Sequence, residues 1–408
     1  MSVKHVPSST VRHTRSHEPS HTRIRVALSA AFMLTGLGMA TWVSRTPAIR
    51  DALEASTAEM GLIIAGLSVG SMIGIAVGGV LVARRGARFV IAMGMLLLLT
   101  GLAVIATGTM LAEGWVVTGG LAFFGAGMGS GEIGQNIEAV ELEVKVQRSI
   151  VPGLHGFYSL GVFVGGMIGL AANALVVPAP THLAAMLLMG LAATLWLVRQ
   201  LPADTGANVP SKSGAPIKSP RGWLDSRLLA LVAIILGMAL AEGSANDWLP
   251  LIVVDGFGQA ATTGAVVYAF FGLTMAIGRF AGGAIIDRFG RAPVMRSSII
   301  TAAVGIIIVI TAPNVLVGAL GVLLWGVGAS LGFPVALSSA GDDPVHAARR
   351  ASLVATAGYA AFLIGPPVLG FLGEHFGIRN ALLVVLAAVL TSLIFAGAVK
   401  PRVQQPRI

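Results

Sequence analysis

Charge is almost absent from stretch after stretch of this chain, each about as long as a membrane is thick, and that pattern limits the possible folds more than any motif. Twelve such runs can be marked, at about 26–44, 59–83, 89–109, 115–138, 150–177, 182–199, 228–254, 260–286, 293–312, 314–338, 352–373 and 378–399. As helix, each run crosses roughly 30 Å of hydrocarbon. Charged residues make up only 11% of the chain and hydrophobic ones 55%, whereas soluble domains carry about a quarter charged residues. A helix in lipid satisfies its own backbone groups; a sheet would need a closed barrel with alternating polarity, which these runs lack. The expectation is an all-α membrane protein with twelve transmembrane helices.

Most connections between the runs are short. The exception, 200–227, holds Pro202, Pro210, Pro216, Pro220 and Ser211-Lys212-Ser213-Gly214, and reads as a linker between two six-helix halves, 26–199 and 228–399. Residues 1–25 and 400–408 are expected to be polar tails, the first a disordered one rich in Ser, Thr, Arg and His. With both ends in the cytoplasm, 23 of the 27 Lys and Arg fall on the cytoplasmic side; Arg45, Arg50 and Arg379 lie outside, and Arg279 within a span. That asymmetry sets the orientation. It also accounts for the net charge of +9 through topology and attraction to anionic lipid, with no need of nucleic acid. There is no cysteine, so disulfides and thiolate metal sites are excluded, and no cofactor is expected.

Two stretches carry nearly the same instruction. A shift of 204 places Gly74, Gly78, Gly79, Arg84 and Gly86 on Gly278, Gly282, Gly283, Arg288 and Gly290, and Asp51 on Asp255. A shift of 201 places Gly125, Gly127 and Gly131 on Gly326, Gly328 and Gly332. Glycines at these spacings let helices approach closely, and a terminal Gly permits a tight turn.

The repeated turn resembles the G-x-x-x-D-R-x-G-R signature of the major facilitator superfamily. The second copy matches with Gly283, Asp287, Arg288, Gly290 and Arg291; the first has Gly79, Arg84, Gly86 and Arg88 but Ala83 at the acidic position. The resemblance covers roughly residues 25 to 400. It implies two pseudo-symmetric six-helix bundles around a central cavity with alternating access, and a gating role for the signature. By the same resemblance Asp287 would meet the helix start near Ser352, or Arg349 and Arg350 beside it. Segments such as Trp42–Arg50, Leu154–Gly161 and Glu242–Trp248 look like an uncharacterised bacterial inner-membrane branch. Gly161-Val162-Phe163-Val164-Gly165-Gly166 lacks the Gly-Pro motif of proton-driven drug antiporters.

Polar residues inside the spans are the candidates for function, since each costs several kcal/mol unless it faces a partner or water. Glu242 and Asn246 stand four apart on one helical face, with Asp247 and Trp248 beside them. Glu242 is expected about two-thirds of the way to the outer side, Asp247 and Trp248 close to the outer interface. Glu132, Gln135 and Asn136 form a second stripe, and His155, Tyr158 and Ser159 a third. Each stripe can bind a polar solute or hold helices together. Glu138, Glu141 and Glu143 read as a solvated rim, Arg45 and Trp42 as part of an outer vestibule, and Gly365-Pro366-Pro367 as a break in its helix. Arg279 serves either an anionic solute or packing.

The first functional expectation is a secondary transporter, monomeric, moving a small polar organic solute together with protons across the bacterial inner membrane. The second is a multispecific exporter of amphiphilic compounds, for which the cavity lining should be apolar. An enzyme is disfavoured: the chain has neither a G-x-x-x-x-G-K-[ST] phosphate loop nor a His-Glu-x-x-His zinc motif.

Overall fold

Apolar residues occur all round most of the long helices, so one side of each can face neighbours and the other lipid. The computed structural model describes residues 19–147, 150–207, 225–342 and 347–401. The first half contains α1 (His21–Val43), α2 (Thr46–Leu53), α3 (Thr57–Arg85), α4 (Ala87–Leu111), α5 (Gly114–Val146), α6 (Val151–Ala174) and α7 (Ala179–Val198). The second contains α8 (Ser226–Phe257), α9 (Ala261–Phe289), α10 (Arg291–Thr311), α11 (Val315–Ala329), α12 (Gly332–Ala340), α13 (Ala347–Phe376) and α14 (Ile378–Phe395), closed by a 3-10 turn at Ala396–Val399. No strand is present among the described residues.

Eleven spans are long and apolar enough to cross a bilayer, α11 and α12 together forming one, Val315–Ala340. The twelfth is α5, whose first half is diluted by glycine and whose last turns carry Glu138, Glu141 and Glu143. Short α2 lies between spans. Leu62, Ile73, Leu96, Leu195, Ile277 and Leu390 point outward as an exposed apolar surface, which suits lipid and not water. This is a multi-pass membrane protein of two six-helix bundles.

Some boundaries differ from expectation. Helix α1 begins at His21, five residues before 26, because Ser20 caps it and Arg23 and Arg25 stay exposed on its first turns, as charges near a membrane rim can. Of the expected tails, 1–18 and 402–408 lie outside the described residues, as do 208–224 of the linker. Helix α13 runs through Pro366 and Pro367 without a break.

The repeat is visible in the packing. A Cβ on Gly125 would stand 1.9 Å from the Leu67 carbonyl oxygen of α3, and one on Gly326 would stand 3.1 Å from that of Phe271 in α9. Gly127 sits equally tightly on Gly94 of α4, and Gly328 on Ser298 and Ala302 of α10. The two signature turns share one backbone shape, Gly86 at φ 81°, ψ 161° and Gly290 at φ 81°, ψ 160°, a region open to glycine alone.

What surrounds the turns differs. Linker residues 201–207 strap the first: Ala87 donates its N–H to the Thr205 carbonyl at 2.8 Å, Arg88 reaches the Leu201 carbonyl at 3.4 Å, and a Cβ on Gly86 would meet the Ala203 oxygen at 2.6 Å. Around Gly290 a Cβ would meet nothing within 4 Å.

The bundles meet along two helix pairs, α3 with α13 and α6 with α9. Along the first, the Glu374 carboxylate accepts from the Thr57 and Ala58 N–H groups at 2.9 and 3.3 Å. Deeper in, Gly61 packs against Gly370 and Ser68 donates to the Phe362 carbonyl at 2.7 Å. Pro366 has no N–H, so the acceptor four residues earlier in α13 is the Phe362 carbonyl it would have engaged. Ser68 of the opposite bundle supplies the missing donor. On the same face Arg50 pairs with Asp255. Beyond these rungs α3 and α13 part, since a Cβ on Gly79 would meet nothing within 4 Å, whereas α6 and α9 stay together as far as Gly156 against Phe280. The α3–α13 seam is therefore shut on the face opposite the chain ends and open towards them.

Ser68→Ala is expected to leave the Phe362 carbonyl unsatisfied in the closed arrangement and to weaken closure by about 1–3 kcal/mol. A cysteine introduced at Met275 should then react several-fold faster with a membrane-impermeant thiol reagent from the closed side; an unchanged rate would show that this contact does not hold the gate.

Candidate functional site

Midway along α8, Glu242 has one oxygen 2.7 Å from the Arg279 guanidinium of α9. The second Arg279 nitrogen donates to the Ser159 hydroxyl of α6 at 2.8 Å. Arg279 thus links its own bundle to the other at the centre of the membrane. The side chains of Glu242 and Arg279 are 10% and 12% exposed, so each charge depends on the other: a buried ion stripped of its partner costs several kcal/mol. The sequence expectation placed Glu242 too far out; it sits near the middle of the 32-residue helix, which begins at Ser226 with an Asp225 cap.

Around this link the three predicted stripes converge. A void of about 10 Å³ is lined by Tyr158, Ser159, Glu242, Asn246, Met275 and Arg279, among others, space on the order of one water. Tyr268 donates to the Asn246 side-chain oxygen at 3.3 Å. His155 Nε2 lies 3.1 Å from the Asn136 oxygen, with Phe32 packed on its ring at 4.9 Å. Gln135 turns away and donates to Thr35 of α1 at 3.2 Å, which makes it helix glue. Glu132 stands within electrostatic reach of Glu242 and Arg279, and no described residue hydrogen-bonds or ion-pairs with it. Tyr359 of α13, in the other bundle, lies within electrostatic reach of Glu132 and forms an aromatic row with Phe333 and Phe362, at 6.1 and 6.5 Å.

Several expectations are corrected. Asp247 and Trp248 are buried, at 5% and 0% exposure, because α8 is surrounded by protein over this length; neither reaches the outer interface. Arg45 and Trp42 do not line a vestibule. Buried Arg45 staples the end of α1 to α6 through the Asn173 side chain and the Val177 carbonyl; burial lowers its pKa from the usual guanidinium value. The acidic end of α5 is not a uniform rim either. Glu138 is buried beside Thr205 of the strap and Glu143 caps α6 through the Ile150 and Val151 N–H groups at 2.7 and 3.0 Å. Only Glu141 behaves as solvated, paired with Lys145 at 3.5 Å.

The gating residues divide in the same way. Arg84, Arg288 and Asp287 are exposed, and Asp287 meets no described residue in a hydrogen bond or ion pair. Its expected partner Arg350 is instead buried and bound through both terminal nitrogens to Asp225, at 3.0 Å each. The side chains of Arg349 and Ser352 lie outside the described residues. Arg291 pairs with Asp342 at 2.7 Å, beside Arg227, which holds the same carboxylate at 2.9 Å.

Sequence reasoning noticed Arg279 and Ser159 but gave them no central place. A lone arginine within an apolar span was the available signal, since such a charge demands a carboxylate. The aromatic row was missed altogether.

The pattern of the Major Facilitator Superfamily matches residues 26–348 and 267–407. An uncharacterised MFS-type transporter of Yersinia pestis is similar at 30% identity over 397 residues, covering 96% of this chain and 99% of that protein. Among solved structures, a variant of the nucleoside transporter NupG superposes with TM-score 0.71 at 13% identity, covering 92% of this chain and 98% of the other. A variant of the E. coli fucose:proton symporter gives 0.64 at 19%, covering 94% and 100%. Duplicated signature, twelve spans in two bundles and a charged link at their interface agree with these matches: the chain belongs to the Major Facilitator Superfamily and is a secondary transporter, not an enzyme.

Proposed function

We propose that the protein moves a small polar organic solute by alternating access, coupled to protons, as a monomer in the bacterial inner membrane with both chain ends in the cytoplasm. The carrying observation is the Glu242–Arg279–Ser159 link. A proton arriving at Glu242 removes the charge that holds Arg279; Arg279 then lets go of Ser159, and the bundles are free to rock. Asn136, His155, Tyr158 and Asn246 offer donors and acceptors to a solute, and Asp247 is a further carboxylate at the same depth. This lining favours a polar solute over the amphiphilic compounds of a multispecific exporter. Relatives in fold include a nucleoside transporter and a fucose:proton symporter, which supports the same reading. The basic residues that set the orientation crowd the open face, among them Arg84, Arg85, Arg88, Arg288 and Arg291.

The test is Glu242→Gln in proteoliposomes. Gradient-driven accumulation should fall at least tenfold while solute exchange without a gradient persists. Full accumulation by the variant would remove Glu242 from the proton path.

A further inference from the structure

The chamber holds more carboxyl groups than its described cations pair with. Among the described residues facing it, Arg279 is the cation, and its guanidinium is occupied by Glu242 and Ser159. Among the described residues Glu132 has no hydrogen-bond or ion-pair partner, and neither has Asp247, which is 5% exposed and in reach of Tyr158 and Tyr268. An anionic solute entering from the open face would meet Glu132 with no unengaged cation beside it. A neutral solute would leave that carboxyl group with nothing but a proton to neutralise it.

An organic ammonium ion resolves both difficulties, and the wall opposite is made for one. Tyr359 lies within electrostatic reach of Glu132, its ring stands beside those of Phe333 and Phe362, and all four side chains are half-buried. Aromatic faces attract a desolvated cation through the ring quadrupole, and a carboxylate adds a charge-assisted hydrogen bond. Asn136, bonded to His155 at 3.1 Å, lies one turn further along α5 and is placed to take hydroxyl groups.

Resting on the transporter reading above, we propose that the solute is a protonated amine bearing hydroxyl groups, its ammonium seated between Glu132 of one bundle and the Tyr359 aromatic row of the other. Arg279 then belongs to the coupling link and not to solute recognition.

The experiment uses the full chain in detergent or liposomes with probes matched in shape: glucosamine against glucose, N-acetylglucosamine and glucuronate, and 2-aminoethanol against ethylene glycol. Each amine should bind on the order of tenfold tighter than its neutral counterpart. The preference should vanish in Glu132→Gln, weaken in Tyr359→Leu and survive in Tyr359→Phe. Equal or tighter binding of the neutral or anionic probes overturns the assignment, as does an absence of binding by both amines or an amine preference that persists in Glu132→Gln. Saturable flux of a neutral probe with none for the amines would overturn it and leave the transporter reading standing. Glu132-dependent binding of amines without flux of any probe would do the reverse.

Discussion

Arg279→Leu is expected to destabilise the protein by roughly 3–5 kcal/mol, the usual effect of removing one partner of a buried ion pair. The reason is the state of Glu242 once it is alone: a carboxylate with a 10% exposed side chain, halfway along a span, sharing a water-sized void with Asn246. Replacing both partners, Glu242→Leu with Arg279→Leu, should restore most of the stability, because apolar groups of similar volume leave nothing unpaired. Transport should be lost in both. Thermal unfolding in detergent, followed by size-exclusion fluorescence, separates the two variants. An unchanged melting temperature for Arg279→Leu, or gradient-driven accumulation by the double variant, would rule out the pair as both buried and essential.

The second large effect concerns the two ends of α3. Gly61 and Gly79 are about five full turns apart at 3.6 residues per turn and so lie on one face of the helix. A Cβ on Gly61 would already stand 2.7 Å from the Pro366 carbonyl and 3.0 Å from Gly370. Gly61→Leu should therefore wedge the far face open. Gly79 meets nothing within 4 Å here. Along the ladder of Thr57 with Glu374, Gly61 with Gly370 and Ser68 with Phe362, each step down α3 is a step back along α13. Gly79 thus comes level with residues 351–352 when the open face shuts. Gly79→Leu should leave the present arrangement intact and block that closure. A cysteine at Met275, in a chain that has none of its own, should label from the far side in the first variant and only from the open side in the second. Full transport by Gly79→Leu would show that α3 and α13 do not meet there.

The architecture was legible because lipid imposes one rule on every span: apolar residues at helix length, with basic ends. Glu242 and Asn246 could be placed on one face by counting residues. The pairing of Glu242 with Arg279 could not, since the two are 37 apart in sequence and meet only once α8 and α9 pack. Glu138 was misjudged for a similar reason: what buries it is the beginning of the linker, whose proline-rich composition gives no sign that it folds back. The burial of Trp248 follows from the number of neighbours around α8, a property no single helix displays.

Duplication gave both corners the same bend, yet the corner at Gly86 is tied down by its own downstream peptide while its twin at Gly290 is tied by charge, through Arg291 on the Asp342 carboxylate. Added salt therefore slackens one jamb of the doorway and leaves the other in place.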